Sequence, residues 1–206
     1  GEPHLENGYP DRVDEGYGLN CDALDRIAAG GARVVVTVDC GIRSLHEVAH
    51  GQALGLDMIV TDHHSLASDA EGRDLLPDAV AVINPKRQDD PYPFKHFAGV
   101  GLAFKLAQGL MRAEMRDPVL GRAAELKTAD LVDLVALGTV ADVMPLTGEN
   151  RVLVRRGLEA LRKAKRPGVL AMLIEADLIP DKIMAHTIGF VLGPRLNAAG
   201  RLESAD

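Results

Sequence analysis

Residues 33–39 read Arg-Val-Val-Val-Thr-Val-Asp, and residues 58–61 read Met-Ile-Val-Thr. β-Branched side chains crowd a helical turn but suit a pleated strand. The first run alternates too little for a half-exposed sheet, so it predicts a central strand. Between the two runs, Cys40-Gly41-Ile42 turns the chain and Ser44 can cap a helix. Leu45, Val48, Ala49 and Leu54 give that helix an apolar face, and Gly55 stops it. Strand, helix, strand in this order implies parallel pairing through a right-handed crossover. The unit therefore brings Asp39 and the group Asp62-His63-His64 to one end of the sheet, where open parallel sheets bind ligands.

The rest of the chain extends this pattern. Residues 1–14 have no usable periodicity and enter as an extended segment. Asn20 caps a helix carrying Leu24 and Ile27, which Gly30-Gly31 ends. A third short strand is predicted over 79–83 and a covering helix over 99–115. A helix over 131–137 precedes Asp142, an acid in an apolar context. The helix predicted over 150–164 turns Val152, Leu153, Leu158 and Leu161 inward, and a short helix follows over 169–176. The glycine-rich stretch 189–201 reads as a loop. The expected fold is α/β: an open, mainly parallel sheet flanked by helices over 1–145, with a helical part over 146–206.

Low aromatic content and a core of Val, Ala, Leu and Gly suit parallel strands covered by helices better than a β-sandwich. The formal charge of −7 argues against a wholly basic coat for nucleic acid, although acids gathered around cations carry a different meaning. Cys21 and Cys40 are the only cysteines, and no apolar run approaches the roughly 18 residues of a membrane span. A reducing cytoplasm and no membrane association are expected.

Three groups of residues carry chemistry. His46-Glu47-Val48-Ala49-His50 matches the zinc-protease pattern, but it falls on the crossover helix without a fitting third ligand. Asp39, Asp142 and the His63-His64 pair each follow an apolar run. Buried unpaired carboxylates are costly, and a shared cation would relieve that cost. A mostly carboxylate set with imidazole suits Mn²⁺, and Mg²⁺ less well. Two ions about 3.5 to 4 Å apart could activate a water on a phosphoester, with Asp39 as the candidate bridge. Basic residues on the 150–164 helix, and Arg195, Asn197 and Arg201 among glycines, can serve phosphates.

Four ordered motifs, Val38-Asp39-Cys40-Gly41-Ile42, Thr61-Asp62-His63-His64, Gly138-Thr139-Val140-Ala141-Asp142 and the run from Gly193 to Arg201, resemble those of the DHH phosphoesterases. The likeness is to the branch that digests single-stranded DNA from 5′ to 3′ in DNA repair and recombination. The resemblance implies that Asp39 bridges two Mn²⁺ ions, that His63 and Asp142 complete one ion's shell, and that Asp62 orients His63. It further implies that His64 contacts the scissile phosphate or assists protonation. Arg12, Tyr17, Arg195, Asn197 and Arg201 would hold the strand, and a single-strand-binding protein and a helicase would be partners.

An Asp-x-Asp motif expected before Asp39 has no counterpart in this sequence. The expectation is therefore a partial metal shell, at most one weakly bound ion and little nuclease activity. Two rivals remain: another DHH phosphoesterase acting on a cyclic dinucleotide, an oligoribonucleotide or pyrophosphate, and a metal-free nucleic-acid-binding relative.

Overall fold

The computed structural model describes residues 18–118 and 127–202, of which 199–202 are described by backbone alone. Arg12 and Tyr17 lie outside the described residues, as does the side chain of Arg201.

Helix α1 (Cys21–Ala29) is capped by Asn20, whose Oδ1 accepts from the Ala23 amide at 2.7 Å. Strand β1 (Val34–Val38), helix α2 (Leu45–Ala53) and strand β2 (Asp57–Thr61) form the expected crossover unit. β1 and β2 pair in parallel from Val34 opposite Asp57 to Val38 opposite Thr61. A short antiparallel hairpin, β3 (Ala67–Ser68) with β4 (Asp74–Leu75), precedes β5 (Ala81–Ile83), which joins the other side of β2 in parallel.

This order corrects one expectation. Among the described residues β2 is the central strand and β1 lies at the edge. One face of β1 packs Val35 against the core, while Val34, Val36 and Val38 on the other are 52, 45 and 51% exposed. A β-branched run prefers strand whether or not its second face is covered. On α2, Val48 and Gly51 are buried while Leu45, Ala49 and Leu54 are exposed. Gly51 lets the helix approach the sheet, because a Cβ there would meet Met58 Sδ at 2.7 Å.

Helix α3 (Gly99–Arg116) leans on the sheet and leads to α4 (Val132–Ala141), α5 (Gly148–Leu161) and α6 (Pro167–Glu175). α4 (Val132–Ala141) runs four residues past the end of the helix expected over 131–137, so Asp142 stands at its C-terminal cap. On α5 the inward residues are Asn150, Val154, Gly157 and Leu161, and Val152 faces outward. Gly157 sets this phase, since any Cβ there would overlap Ala136 and the Val132 carbonyl of α4. The stretch expected as a loop is helical: a short turn α7 (Ala185–Thr187), a wider turn over Ile188–Leu192, then α8 (Gly193–Leu202).

Two cores result. Leu24, Val48, Leu56, Met58 and Val60 fill the space between the sheet and α1 and α2. Ala136, Leu137, Val154, Leu161, Leu173, Ile188 and Leu192 hold the helical part together, with α4 as its first member.

Candidate metal centre

The parallel ladder continues one residue past β1, where the Asp39 amide donates to the Thr61 carbonyl at 3.0 Å. The turn after it is tied on both sides: Thr37 Oγ1 donates to the Cys40 carbonyl at 2.8 Å, and Thr61 Oγ1 to the Thr37 carbonyl at 2.6 Å. Asp39 has φ +65°, a left-handed conformation that aspartate tolerates and β-branched residues do not. Gly99, the first residue of α3, sits directly against its carboxylate, and a Cβ on Gly99 would overlap Asp39.

At the end of β2 the Asp62 amide donates to the Ile83 carbonyl of β5 at 3.1 Å. Asp62 is buried, and each carboxylate oxygen has a task. Oδ2 accepts from the Ile42 amide at 3.0 Å, while Oδ1 accepts from the His64 amide at 3.0 Å and lies 2.7 Å from His64 Nδ1. Asn84, fully buried after β5, donates from Nδ2 to the His64 carbonyl at 2.9 Å. The resemblance implies that Asp62 orients His63. The structure instead places its carboxylate on His64 and on the turn after β1, because the chain folds back within two residues to form a local ring of hydrogen bonds.

His63 is 5% exposed, with Nε2 at 3.0 Å from Asp39 Oδ1 and 3.4 Å from Asp142 Oδ2. α4 supplies Asp142 from the other side, its amide satisfied by the Gly138 carbonyl at 2.9 Å. Asp39 Oδ1 and both His63 ring nitrogens are buried yet make no aligned hydrogen bond. Polar atoms buried in this way need a partner. An oxygen and a nitrogen this close without an aligned hydrogen bond could both serve as ligands of one cation. One ligand atom from each of Asp39, His63 and His64 also lies within 4.8 Å of the other two.

The Asp39 carboxylate, followed by Asp142, holds His63 above its ordinary pKa against the opposing effect of burial. Burial pushes Asp142 up, with Asp39 adding to the rise and His63 opposing it. For Asp62 burial is outweighed by the His64 and Ile42 amides and the His64 ring, and its pKa is lowered. Burial, then Asp62 and Asp39, raise the Cys40 thiol, so it stays protonated beside the site. Two carboxylates and an imidazole fit a hard or borderline divalent cation better than a thiolate-bound zinc.

Arg195 and Asn197 are exposed on α8. Gly193 at its start is buried against Ala141, the residue before Asp142, which brings this end of α8 to the Asp142 side of the centre. Arg195 donates to the Val191 carbonyl at 3.0 Å. On the basic face of α5, Arg162 and the neighbouring Arg166 are engaged structurally. Arg162 donates to the Ile183 carbonyl at 2.8 Å, and Arg166 pairs with Asp133 at 2.9 Å. Arg151, Arg155, Arg156 and Lys163 remain exposed.

Three residues at the centre carry no signal in the sequence. Gly99 and Asn84 act only through packing and backbone contacts. Lys86 acts electrostatically on both His63 and Asp142, and its amide is held by Asn84 Oδ1 at 2.9 Å.

Residues 2–139, including Asp39, Asp62, His63 and His64, match the DHH family, N-terminal domain. The chain belongs to the DHH family. Among curated DHH relatives it is 48% identical over 198 residues to the single-stranded-DNA-specific exonuclease RecJ of Salmonella typhimurium, covering 94% of this chain and 33% of that protein. It is 42% identical to RecJ of Bacillus subtilis, over 96% of this chain and 23% of that one. The chain thus spans a third or less of these relatives' length. Of solved structures, an exonuclease RecJ bound to manganese superposes with a TM-score of 0.74 at 30% identity, over 95% of this chain and 45% of that one. RecJ from Thermus thermophilus in complex with Mn²⁺ superposes with a TM-score of 0.68 at 28% identity, over 89% of this chain and 25% of that one.

Proposed function

We propose that this DHH chain forms part of the catalytic centre of a RecJ-like exonuclease, a hydrolase that cleaves the phosphodiester bonds of single-stranded DNA from the 5′ end with Mn²⁺, or Mg²⁺, as cofactor. The observation that carries the reading is the convergence of Asp39 Oδ1 and Asp142 Oδ2 on His63 Nε2, with Asp39 Oδ1 and Nε2 buried and without aligned hydrogen bonds. Asp39, His63 and Asp142 would hold a metal ion, with Asp39 the natural bridge to a second. Bound there, the ions supply an activated water and charge to stabilise the leaving oxygen.

The chain's own residues do the remaining work. His64, half-exposed and fixed by Asp62, presents its ring to the scissile phosphate as a donor or proton carrier. Lys86 adds positive charge where the phosphate would lie. Arg195 and Asn197, with Arg201, Arg12 and Tyr17, would hold the strand's phosphates or stack on a base near its 5′ end. A substrate of this kind implies neighbours that expose and coat single strands, a helicase and a single-strand-binding protein, at the chromosome in the cytoplasm.

The test is Mn²⁺-dependent nucleotide release from 5′-labelled single-stranded DNA, with duplex DNA, oligoribonucleotides and a cyclic dinucleotide alongside, for the chain and its Asp39→Ala variant. Slow release from single-stranded DNA alone, as a partial metal shell would give, and its loss in the variant are expected. Preference for a cyclic dinucleotide, or equal activity in the variant, overturns the reading.

A further inference from the structure

α4 ends at Ala141, and three backbone bonds close it. The Asp142 amide donates to the Gly138 carbonyl at 2.9 Å, the Val143 amide to the Val140 carbonyl at 3.1 Å, and the Met144 amide to the Thr139 carbonyl at 3.2 Å. The last two are the paired bonds of a helix stop that turns on one left-handed residue, here Val143 with φ +56°. Glycine is the usual residue at such a stop, because a side chain at positive φ crowds the backbone. Among the described residues the non-glycines at positive φ are Asp39, Val143, Ala164 and Asp177. Val143 alone is β-branched, the type this conformation suits least.

The chain beyond the turn is anchored. Asn150 of α5, fully buried, donates to the Pro145 carbonyl at 3.1 Å and to the His96 carbonyl at 2.6 Å. Packing does not offset the strain at Val143, whose side chain is 87% exposed and adds almost nothing to either core. Strained residues of this kind gather where a ligand is held. The preceding residue is Asp142, and adjacent Cα atoms lie about 3.8 Å apart. A phosphodiester seated on the Asp39, His63 and Asp142 centre therefore brings its flanking sugars and bases within reach of the valine.

We propose, resting on the catalytic reading above, that Val143 is a substrate-contact residue: its methyl groups pack against the deoxyribose and base edge of a nucleotide flanking the scissile phosphate. Binding of the strand then removes from water an apolar side chain that the fold leaves uncovered. Arginines on α8 hold phosphates and fix register. The valine adds a grip on the apolar part of the nucleotide, which no charged group supplies.

Fluorescence anisotropy with a phosphorothioate-linked single strand, which resists hydrolysis, and thermal melting test this on the full chain in Mn²⁺. Val143→Asn and Val143→Gly accept the left-handed turn, so each should melt about 2–4 °C higher. Each should nevertheless bind the strand about tenfold more weakly, the worth of covering a valine. Val143→Ile keeps a branched apolar side chain together with the strain, and should bind within about twofold of the unsubstituted chain without melting higher. A purely structural residue would move stability and affinity together. In Mn²⁺-dependent nucleotide release, KM should rise in the Asn and Gly variants more than kcat falls. Affinity within about twofold in both of these variants, an unchanged KM, or no gain in melting temperature in either overturns the proposal. An unsubstituted chain that binds no single strand refutes the catalytic reading itself, and the proposal with it.

Discussion

Asp39 Oδ1 and His63 Nε2 stand 3.0 Å apart in the interior, on the ends of adjacent parallel strands, without an aligned hydrogen bond between them. Pairing alone leaves both atoms poorly satisfied, and a shared cation satisfies both. Asp39→Ala and His63→Ala should each weaken Mn²⁺ binding by on the order of 100-fold or more, since even supporting residues of metal sites cost about 10–100-fold. Isothermal titration with Mn²⁺ measures this. Affinity within twofold of the unsubstituted chain in both variants would remove this centre from consideration.

Gly99 is the only residue type that fits its position, because any Cβ there runs into Asp39. Gly99→Ala should lower stability by about 1–3 kcal/mol, the usual cost of overpacking, and should weaken Mn²⁺ binding as the carboxylate is displaced. Paired thermal melts and Mn²⁺ titrations check it. Unchanged affinity with lowered stability would show that the helix yields instead of the ligand.

Asp62 ties the His64 ring and amide to the Ile42 amide. Replacement by Ala leaves a buried amide unpaired, which costs about 1–3 kcal/mol, whereas Asn keeps one oxygen acceptor. Stability should fall in the order Asp, Asn, Ala. Nuclease activity should fall in both variants, while Mn²⁺ affinity, set by Asp39, His63 and Asp142, changes less. Loss of Mn²⁺ binding as steep as that of Asp39→Ala would instead make Asp62 a support of the metal ligands.

Glu149, on α5, accepts from Tyr92 Oη at 2.6 Å and from Lys105 on α3. Burial would raise its pKa, but these donors outweigh burial and hold it below the ordinary value. A depressed folded pKa means the stabilisation is complete above the unfolded value and is lost as the pH falls through the folded one. The pair is partly exposed, so its worth is at most about 1 kcal/mol. Glu149→Gln should lower the melting temperature near neutral pH, and the two proteins should converge in acid. A constant gap down to about pH 3 would contradict this linkage.

The sheet and the two sides of the centre it carries are legible because strand periodicity and a crossover fix where Asp39 and His63 must meet. The cover of β1 and the course of Gly138-Thr139-Val140-Ala141 are not. Gly138, Thr139 and Val140 favour helix poorly, yet the stretch extends α4 because Gly138 seats on Val100, where a Cβ would come within 2.6 Å of its side chain. Tertiary packing overrides propensity there. The same holds for α8, whose glycines read as loop but let Gly193 close on Ala141. Val152 reads as inward because the small inward residue of α5, Gly157, carries no hydrophobic signal. Asp62 serves His64 rather than His63 because periodicity says nothing about which way a side chain curls at a strand end.

The edge position of β1 has a practical side. Its outer backbone groups are unpaired by any strand among the described residues, and one face presents three valines to water. An apolar edge without a charge or proline is a template for a strand from another molecule. In solution this seam, more than net charge, should govern how the purified chain behaves on concentration: light scattering should rise with protein concentration, and a lysine in place of Val36 should suppress it. Storage and crystallisation conditions are thus set by the open edge of the strand that leads into Asp39.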